Sequence, residues 1–495
     1  PGVTTSIAIG SQMTLDASNA YYAIINLNDA PDNQMLVSTA GTVVGDSMLG
    51  GGPSTFTLSG GSLTGNVYGD DDIVRNNPDG TRYPGNDNFI WSGGSFDGGF
   101  YGQGGDDSVE VRISNSNAVA AAKFDGGDGI DTFIFNAGSL QSFDGTKITN
   151  FEKMTFTNGL FQLTSNGGTA LSLNGFTDST GNHPFGEITL TNGGNWKIIP
   201  LNTNVATRIE ASLTVMSGGN TFSILPGDVV FSGSIENNGL ITFDAADAPG
   251  TGTLTTEGSY SGNGGVLSVN ANFSRSGFND ALITTGSVSG RTAMLVAPFS
   301  PSSTPRVYNI VTVDPSAGVD PNAFHLLKGP VVVSALAYSL AYYPNGLAGP
   351  SEQLPPGFIL TPAAPANAAA FLDDEFIHRA TIKELIDAGL ALQPYVPLYE
   401  AYQSVLLEMT RLPSLKTRSG GRYEGGAAIT AGPALDAVWG RVGGGFDHFD
   451  PRSSTTGYDY DMSSFEMQAG LDGLFLDSAA GALIGGFTAH YQTGE

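Results

Sequence analysis

The sequence predicts an all-β protein whose N-terminal half is a right-handed parallel β-helix. Residues 1–250 are a succession of short β-type runs, such as STFTLSG and DTFIFN, separated by Gly, Asn and Asp. One segment repeats: FTLSGGSLTGNVYG at 56–69 returns as FIWSGGSFDGGFYG at 89–102. Strand-plus-turn repeats at a spacing of tens of residues stack as coils that bury a shared core. Gly is also abundant, with 69 of 495 residues, as many tight corners require.

Three further regions follow the predicted solenoid. Residues 251–345 change to longer alternating strands, and 346–372 are rich in Pro and Ala, so we expect a linker there. Residues 373–425 hold helical patterns in DDEFIHRATIKELIDAGLAL and LYEAYQSVLLEMTRL. Residues 430–495 alternate strictly, with Phe465, Met467, Ala469 and Leu471 on one strand face.

Composition excludes several function classes. Lys and Arg number 20 against 47 Asp and Glu, a net charge of −27, so we expect no nucleic-acid partner. The absence of Cys excludes disulfides, thiolate metal sites and cysteine nucleophiles. No apolar run is long enough for a membrane-spanning helix. The chain opens at Pro1 without a basic, apolar leader, so we expect any leader to lie upstream or to have been removed.

Three segments carry a family resemblance. GTLTTEGSYSG and DALITTGSVSGRTAM, within 251–345, resemble the pertactin-type autochaperone region of bacterial autotransporters. PLYEAYQSVLLEMTRLPSLKTRSGGR, 397–422, resembles the helical linker before their barrel. AVWGRVGGG, FEMQAGLDG and LIGGFTAHY resemble the first barrel strands, and the order of the segments is the family's order.

This resemblance implies a type V secretion protein of a Gram-negative bacterium, with an extracellular passenger and a C-terminal barrel in the outer membrane. The family's barrel is several times longer than residues 430–495, so these are expected to be its opening strands alone. The expected function is a non-catalytic adhesin or biofilm component that binds a host or surface ligand, protein or glycan, with self-association a further option. Two alternatives stay open: a structural surface-layer or filament-forming protein, and a surface polysaccharide hydrolase.

Gly-Asp loops at 66–134 predict calcium. GGDGIDTFI, 126–134, matches the calcium nonapeptide G-G-x-G-x-D-x-U-x, and GQGGDDSVE, 102–110, matches with one substitution. Calcium takes six to eight oxygen ligands, which carboxylates and exposed carbonyls supply. The predicted ligands are Asp71, Asp87, Asp107, Asp128 and Asp131. The alternative is that Gly supplies positive φ and Asp caps its own turn, which irregular intervals between the motifs favour.

The sequence offers only weak signals for a catalytic site. Gly45-Asp46-Ser47 is similar to serine-hydrolase motifs, but the first His of the chain is His183, downstream of the serine. His448 between Asp447 and Asp450 is either a metal trio or a polar hairpin end. Trp91 and Trp196 are expected in the core rather than on a binding face. We therefore expect no enzyme.

Overall fold

The computed structural model describes residues 4–17, 22–25, 34–70, 84–113, 119, 121–138, 141–244, 252–274, 279–302, 304–350, 352–410, 437–450, 456, 458–478 and 480–494. They divide into two compact units, Pro1–Phe376 and Ile377–Glu495. Within the described ranges, no helix is both long and apolar enough to cross a membrane.

The first unit is a parallel β-helix, which confirms the predicted fold class. Strands of successive coils pair in parallel and build three long sheets of 18, six and nine strands. The early coils comprise β1 (Thr4–Ile9), β2 (Thr14–Asp16), β3 (Tyr22–Ile25), β4 (Gln34–Thr39), β5 (Thr42–Val44), β6 (Asp46–Met48), β7 (Thr55–Thr64), β8 (Val67–Tyr68), β9 (Asn88–Asp97), β10 (Gly99–Gly104), β11 (Ser108–Val111), β12 (Lys123–Asp128), β13 (Thr132–Asn136), β14 (Gln141–Phe143) and β15 (Ile148–Thr149). A short 3₁₀ helix, Gly145–Lys147, precedes β15.

The later coils continue this stacking without interruption of the large sheet. They comprise β16 (Lys153–Ser165), β17 (Gly168–Ser172), β18 (Phe176–Asp178), β19 (Gly181–His183), β20 (Glu187–Pro200), β21 (Thr207–Glu210), β22 (Ser212–Val215), β23 (Thr221–Ile224), β24 (Asp228–Phe231), β25 (Ile235–Asn237), β26 (Leu240–Phe243), β27 (Thr253–Thr256), β28 (Tyr260–Asn272), β29 (Ala281–Thr284), β30 (Val288–Phe299), β31 (Tyr308–Val313) and β32 (Phe324–Leu326).

The internal repeat forms two adjacent coils. Strand β7 pairs with β9 so that Phe56 lies opposite Phe89 and Leu63 opposite Phe96, as the repeat predicts. Both strands turn a corner at a glycine, Gly61 or Gly94, with φ of +65° and +75°. A Cβ atom on Gly94 would lie 2.6 Å from the carbonyl carbon of Gly60. The corner therefore needs glycine both for its left-handed backbone and for the close approach of the next coil.

An aromatic stack runs through the core. The rings of Phe135 and Phe156 are 5.3 Å apart and nearly parallel, and Phe156 stacks on Trp196 at 5.1 Å. Trp91 and Trp196 are fully buried, which confirms their expected core position. Each such pair adds about 0.5–1.5 kcal/mol beyond the burial of apolar area.

Residues 346–372 differ from the linker that we expected. After β33 (Val331–Val333), β34 (Leu336–Tyr343), β35 (Leu347–Ala348) and β36 (Gln353–Leu354), strand β37 (Gly357–Thr361) pairs antiparallel with β31 and β34. All five residues of β37 are buried. A 3₁₀ helix, Pro365–Leu372, then buries Phe371 and Leu372. The segment belongs to the core because the run Phe358-Ile359-Leu360 outweighs the surrounding Pro and Ala.

The predicted helices are present, but the first predicted helix forms two shorter ones. It forms α1 (Asp374–Arg379) and α2 (Ile382–Asp387), while α3 spans Val396–Met409. Thr381 starts α2 with a capping box: its hydroxyl accepts the Glu384 N–H, and the Glu384 carboxylate accepts the Thr381 N–H at 2.7 Å. This reciprocal pair stabilises a new helix start. The part of the predicted helical region at 411–425 lies outside the described residues.

The second unit also contains a three-stranded antiparallel sheet: β38 (Ala437–Phe449), β39 (Tyr460–Ser478) and β40 (Gly481–Gly494). Its alternation agrees with the pattern in the sequence. Phe465, Met467 and Leu471 are each about half exposed on one face, whereas Gln468 on the other is 2% exposed. That these are the opening strands of a translocator domain stays a prediction.

Candidate functional site

Four acidic residues stand one above another at a corner of the solenoid. Asp87, Asp107, Asp131 and Glu152 come directly before β9, β11, β13 and β16, and we call them the acidic ladder. The strands align them, because Asn88 pairs with Ser108, Ser108 with Thr132, and Thr132 with Lys153. All four residues are at most 3% exposed.

The acidic ladder accepts hydrogen bonds from one coil to the next. The Asp87 N–H donates to Oδ1 of Asp107 at 2.7 Å, and the Asp107 N–H donates to Oδ1 of Asp131 at 2.6 Å. The Asp131 N–H donates to Oε2 of Glu152, and the Ser54 N–H donates to Oδ1 of Asp87, both at 2.7 Å. Each carboxyl therefore satisfies a buried backbone donor that would otherwise be unpaired where the chain turns.

The other oxygen of each aspartate has no such partner. Oδ2 of Asp87, Asp107 and Asp131 is buried without a hydrogen bond to any described residue. Burial, with a smaller contribution from neighbouring carboxylates, raises the pKa of Asp87 to about 8, of Asp107 to about 9 and of Asp131 to about 7. Burial likewise raises the pKa of Glu152. The three aspartates therefore hold their protons well above the pH at which exposed aspartates ionise.

Glycine makes room for each carboxyl. A Cβ atom would lie 2.0 Å from Oδ2 of Asp107 if built on Gly102, and 2.7 Å from Oδ2 of Asp131 if built on Gly126. A Cβ atom on Gly69 would lie 2.4 Å from Oδ2 of Asp87. The Gly and Asp of the repeated motif are thus coupled by packing. The alternative interpretation, in which each Asp caps its own turn, is wrong in one respect. Each of these aspartates accepts a backbone N–H of the neighbouring coil instead.

The predicted calcium ligands do not all meet. Asp87, Asp107 and Asp131 stack in the acidic ladder, whereas Asp128 is exposed at the end of β12, opposite Gly104. Asp71 lies outside the described residues. Throughout the described ranges, no group of three or more His, Asp or Glu side chains is placed to hold a metal ion. Calcium binding stays a prediction, and what the geometry shows is a set of buried carboxyls that brace a corner.

Sequence reasoning missed Glu152. It lacks the Gly-Asp motif, but it occupies the position of the aspartates, directly before a strand whose second residue is buried. The patterns DNF, DSV, DTF and EKM at the starts of the four strands were the available signal. Ser54 holds the same position one coil earlier, before Thr55 and Phe56.

The two weak catalytic candidates lack a reactive setting in the described structure. Ser47 is fully buried on β6, and its hydroxyl has no hydrogen-bond partner among the described residues. His448 lies on β38, with Nδ1 2.8 Å from Asp461 and Nε2 3.8 Å from Asp459. The ion pairs of His448 therefore join it to Asp461 on β39 and to Asp459 just before that strand, and not to the predicted Asp447 and Asp450.

One segment of the chain resembles a known domain family. Residues 232–340 match the model of the Autochaperone Domain Type 1. The chain is also 28% identical over 273 residues to the Adhesin BmaC autotransporter of Brucella suis biovar 1 (strain 1330), covering 52% of this chain and 7% of that protein. The chain thus spans less than a tenth of the curated relative that it matches.

One solved structure is similar to part of the chain. The crystal structure of the Haemophilus influenzae Hap adhesin overlays with a TM-score of 0.26 and 14% identity, covering 66% of this chain and 40% of that chain. A TM-score this low does not establish a common fold. The autochaperone match and the similarity to an autotransporter support the resemblance of the chain to bacterial autotransporters with a β-helical passenger. Such a passenger belongs at the cell surface of a Gram-negative bacterium.

Proposed function

We propose that the chain is the displayed passenger of an autotransporter and acts as a non-catalytic adhesin. The observation that carries the proposal is the similarity over 273 residues to a protein named an adhesin autotransporter, on a chain that folds as a long solenoid. The solenoid also offers a rigid polar surface. Thr155, Thr189 and Thr214 stack on consecutive strands of the large sheet, and each is partly exposed.

A surface of this kind suits binding without catalysis. Its side chains are held in register by backbone pairing, so a partner pays little entropy to order them. The ligand is a host or surface molecule, protein or glycan, and self-association between copies is a second mode of contact.

Adhesion of the whole chain tests the proposal. Beads coated with the native chain should attach to epithelial monolayers more than beads coated with heat-unfolded chain or albumin. Equal attachment of all three would overturn the proposal. Treating the cells with glycosidases or proteases separates a glycan ligand from a protein ligand, and clumping of beads without cells reports self-association.

Point variants then locate the binding face. Thr189→Glu places a charge on the large sheet, and Thr255→Glu places the same charge on the nine-stranded sheet. Loss of attachment in only the first variant assigns binding to the large sheet. Release of reducing sugar from surface polysaccharides would instead favour the hydrolase alternative, and growth of filaments in light scattering would favour the structural one.

A further inference from the structure

Three polar side chains lie together near the end of the solenoid, where β31 and β34 flank β37. Tyr308 opens β31, Tyr338 lies on β34, and Arg306 comes two residues before β31. The ring centroids of Tyr308 and Tyr338 are 6.2 Å apart, and each ring packs on Phe273 at 4.8 Å. We call Arg306, Tyr308 and Tyr338 the donor cluster, and all three lie within the segment 232–340 that matches the autochaperone model.

Each member of the donor cluster has a buried polar atom without a hydrogen-bond partner among the described residues. These atoms are the hydroxyl oxygens of Tyr308 and Tyr338 and Nε of Arg306. Tyr308 is 1% exposed and Tyr338 is fully buried. Unpaired buried polar groups are rare in native proteins, and a bound water or ion is a common explanation. The donor cluster therefore points to a small ligand.

The three side chains are close enough to act on one another electrostatically. Burial raises the pKa of Tyr308, with a further rise from Tyr338 and an opposing effect of Arg306. Burial also raises the pKa of Tyr338 to about 12, again against an opposing effect of Arg306. Both hydroxyls thus keep their hydrogens at neutral pH. Together with the Nε–H of Arg306, they are available as donors.

The buried side of the guanidinium keeps positive charge. Asp374 lies at the other side, with Oδ1 3.5 Å from Nη1 of Arg306, and its side chain is 65% exposed. A carboxylate in contact with solvent offsets the charge of a guanidinium only in part. Because hydrogen bonds between charged partners are the stronger ones, the buried Nε–H favours a negatively charged acceptor.

A count of hydrogens separates an anion from a water molecule as the ligand. The Nε–H and the two hydroxyls bring three hydrogens, and one central ligand makes one hydrogen bond with each group. A water molecule brings two more, so two of the five hydrogens would have no partner within the donor cluster. A monatomic anion brings none, and all three hydrogens are paired.

We propose that the donor cluster of Arg306, Tyr308 and Tyr338 is a binding site for a halide ion such as chloride. The halide accepts hydrogen bonds from β31 and β34, the two strands that pair with β37. It therefore braces the end of the nine-stranded sheet, and it replaces solvent at three donors that folding buries.

Thermal unfolding of the whole chain in sodium chloride and in sodium gluconate, at equal ionic strength, tests the site in solution. Chloride should raise the unfolding midpoint of the first unit by about 2 °C at a tenfold excess over Kd, and bromide should replace chloride. The double variant Tyr308→Phe, Tyr338→Phe should lose this rise. Tyr343→Phe is the control, because it removes another buried hydroxyl about 17 Å further along β34. A parent without the rise, or a double variant that keeps it, would overturn the proposal.

Arg306→Gln should also lose the rise, and Arg291→Gln, which removes an exposed arginine of β30, controls for the change in net charge. Anomalous diffraction from bromide-soaked crystals of the whole parent chain supplies a readout that needs no variant to fold. A bromide peak between Nε of Arg306 and the two hydroxyls is expected. Water density at that position, or no density, in the presence of bromide would overturn the proposal.

Discussion

Replacing Asp107 with Asn removes the carboxyl with the highest pKa among the three aspartates of the acidic ladder but keeps an oxygen that can accept the Asp87 N–H. Burial raises the pKa of Asp107 from 3.8 to about 9. Because this folded-state pKa lies above the unfolded one, the stability that the carboxyl contributes is fully present below about pH 4 and is lost as the pH rises toward 9. The slope for one group is about 1.4 kcal/mol per pH unit.

Between pH 5 and pH 8 this slope amounts to about 4 kcal/mol of unfolding free energy. The unfolding free energy of Asp107→Asn should therefore fall by about 4 kcal/mol less than that of the parent between pH 5 and pH 8. Asp87 and Asp131 keep their own contributions to the fall. Urea unfolding followed by circular dichroism, in EDTA at both pH values, measures the difference. Asp97→Asn alters an exposed carboxylate outside the acidic ladder and should behave as the parent does. An Asp107→Asn chain whose pH dependence matches the parent's would refute the reasoning.

If calcium binds at the acidic ladder, it should stabilise the parent but not Asp107→Asn. A cation bound at the acidic ladder would hold the carboxylates ionised and stabilise the native state by about 2.7 kcal/mol at a hundredfold excess over Kd. Millimolar calcium at pH 8 should then stabilise the parent but not Asp107→Asn, and magnesium should not replace it. If calcium has no effect on the parent, the Gly-Asp loops are corners braced by buried carboxyls without a bound cation.

Two packing predictions follow from the same region and from the core. Gly102→Ala places a Cβ atom 2.0 Å from Oδ2 of Asp107 and should cost about 1–3 kcal/mol of unfolding free energy. Gly138→Ala, with no atom within 4 Å of its Cβ, is the control, and equal melting temperatures of the two variants would contradict the clash. Phe156→Ala should cost about 3–5 kcal/mol in chemical unfolding because the ring stacks between Phe135 and Trp196. Leu160→Ala, at a 38% exposed position, should cost far less.

The fold was more predictable from the sequence than the chemistry of the site. The repeat at 56–69 and 89–102 predicts stacked coils because strand, corner glycine and aromatic recur in the same order. The acidic ladder has no such constant period: Asp87, Asp107 and Asp131 are 20 and 24 residues apart because loops of different length join the coils. Only the strand pairing shows that they align and that Glu152 joins them.

The error at 346–372 has a different physical origin, because composition does not report pairing between distant segments. Strand β37 pairs with β31, so that Tyr308 lies opposite Leu360 across about fifty intervening residues. A solenoid whose last coil were left uncovered would present unpaired backbone donors and acceptors, which invite association with other chains. Here β31 turns from parallel pairing with β29 to antiparallel pairing with β37, and β34 extends the sheet beyond it. The segment expected to be a linker is therefore what covers this edge of the nine-stranded sheet, directly after the autochaperone match ends at residue 340.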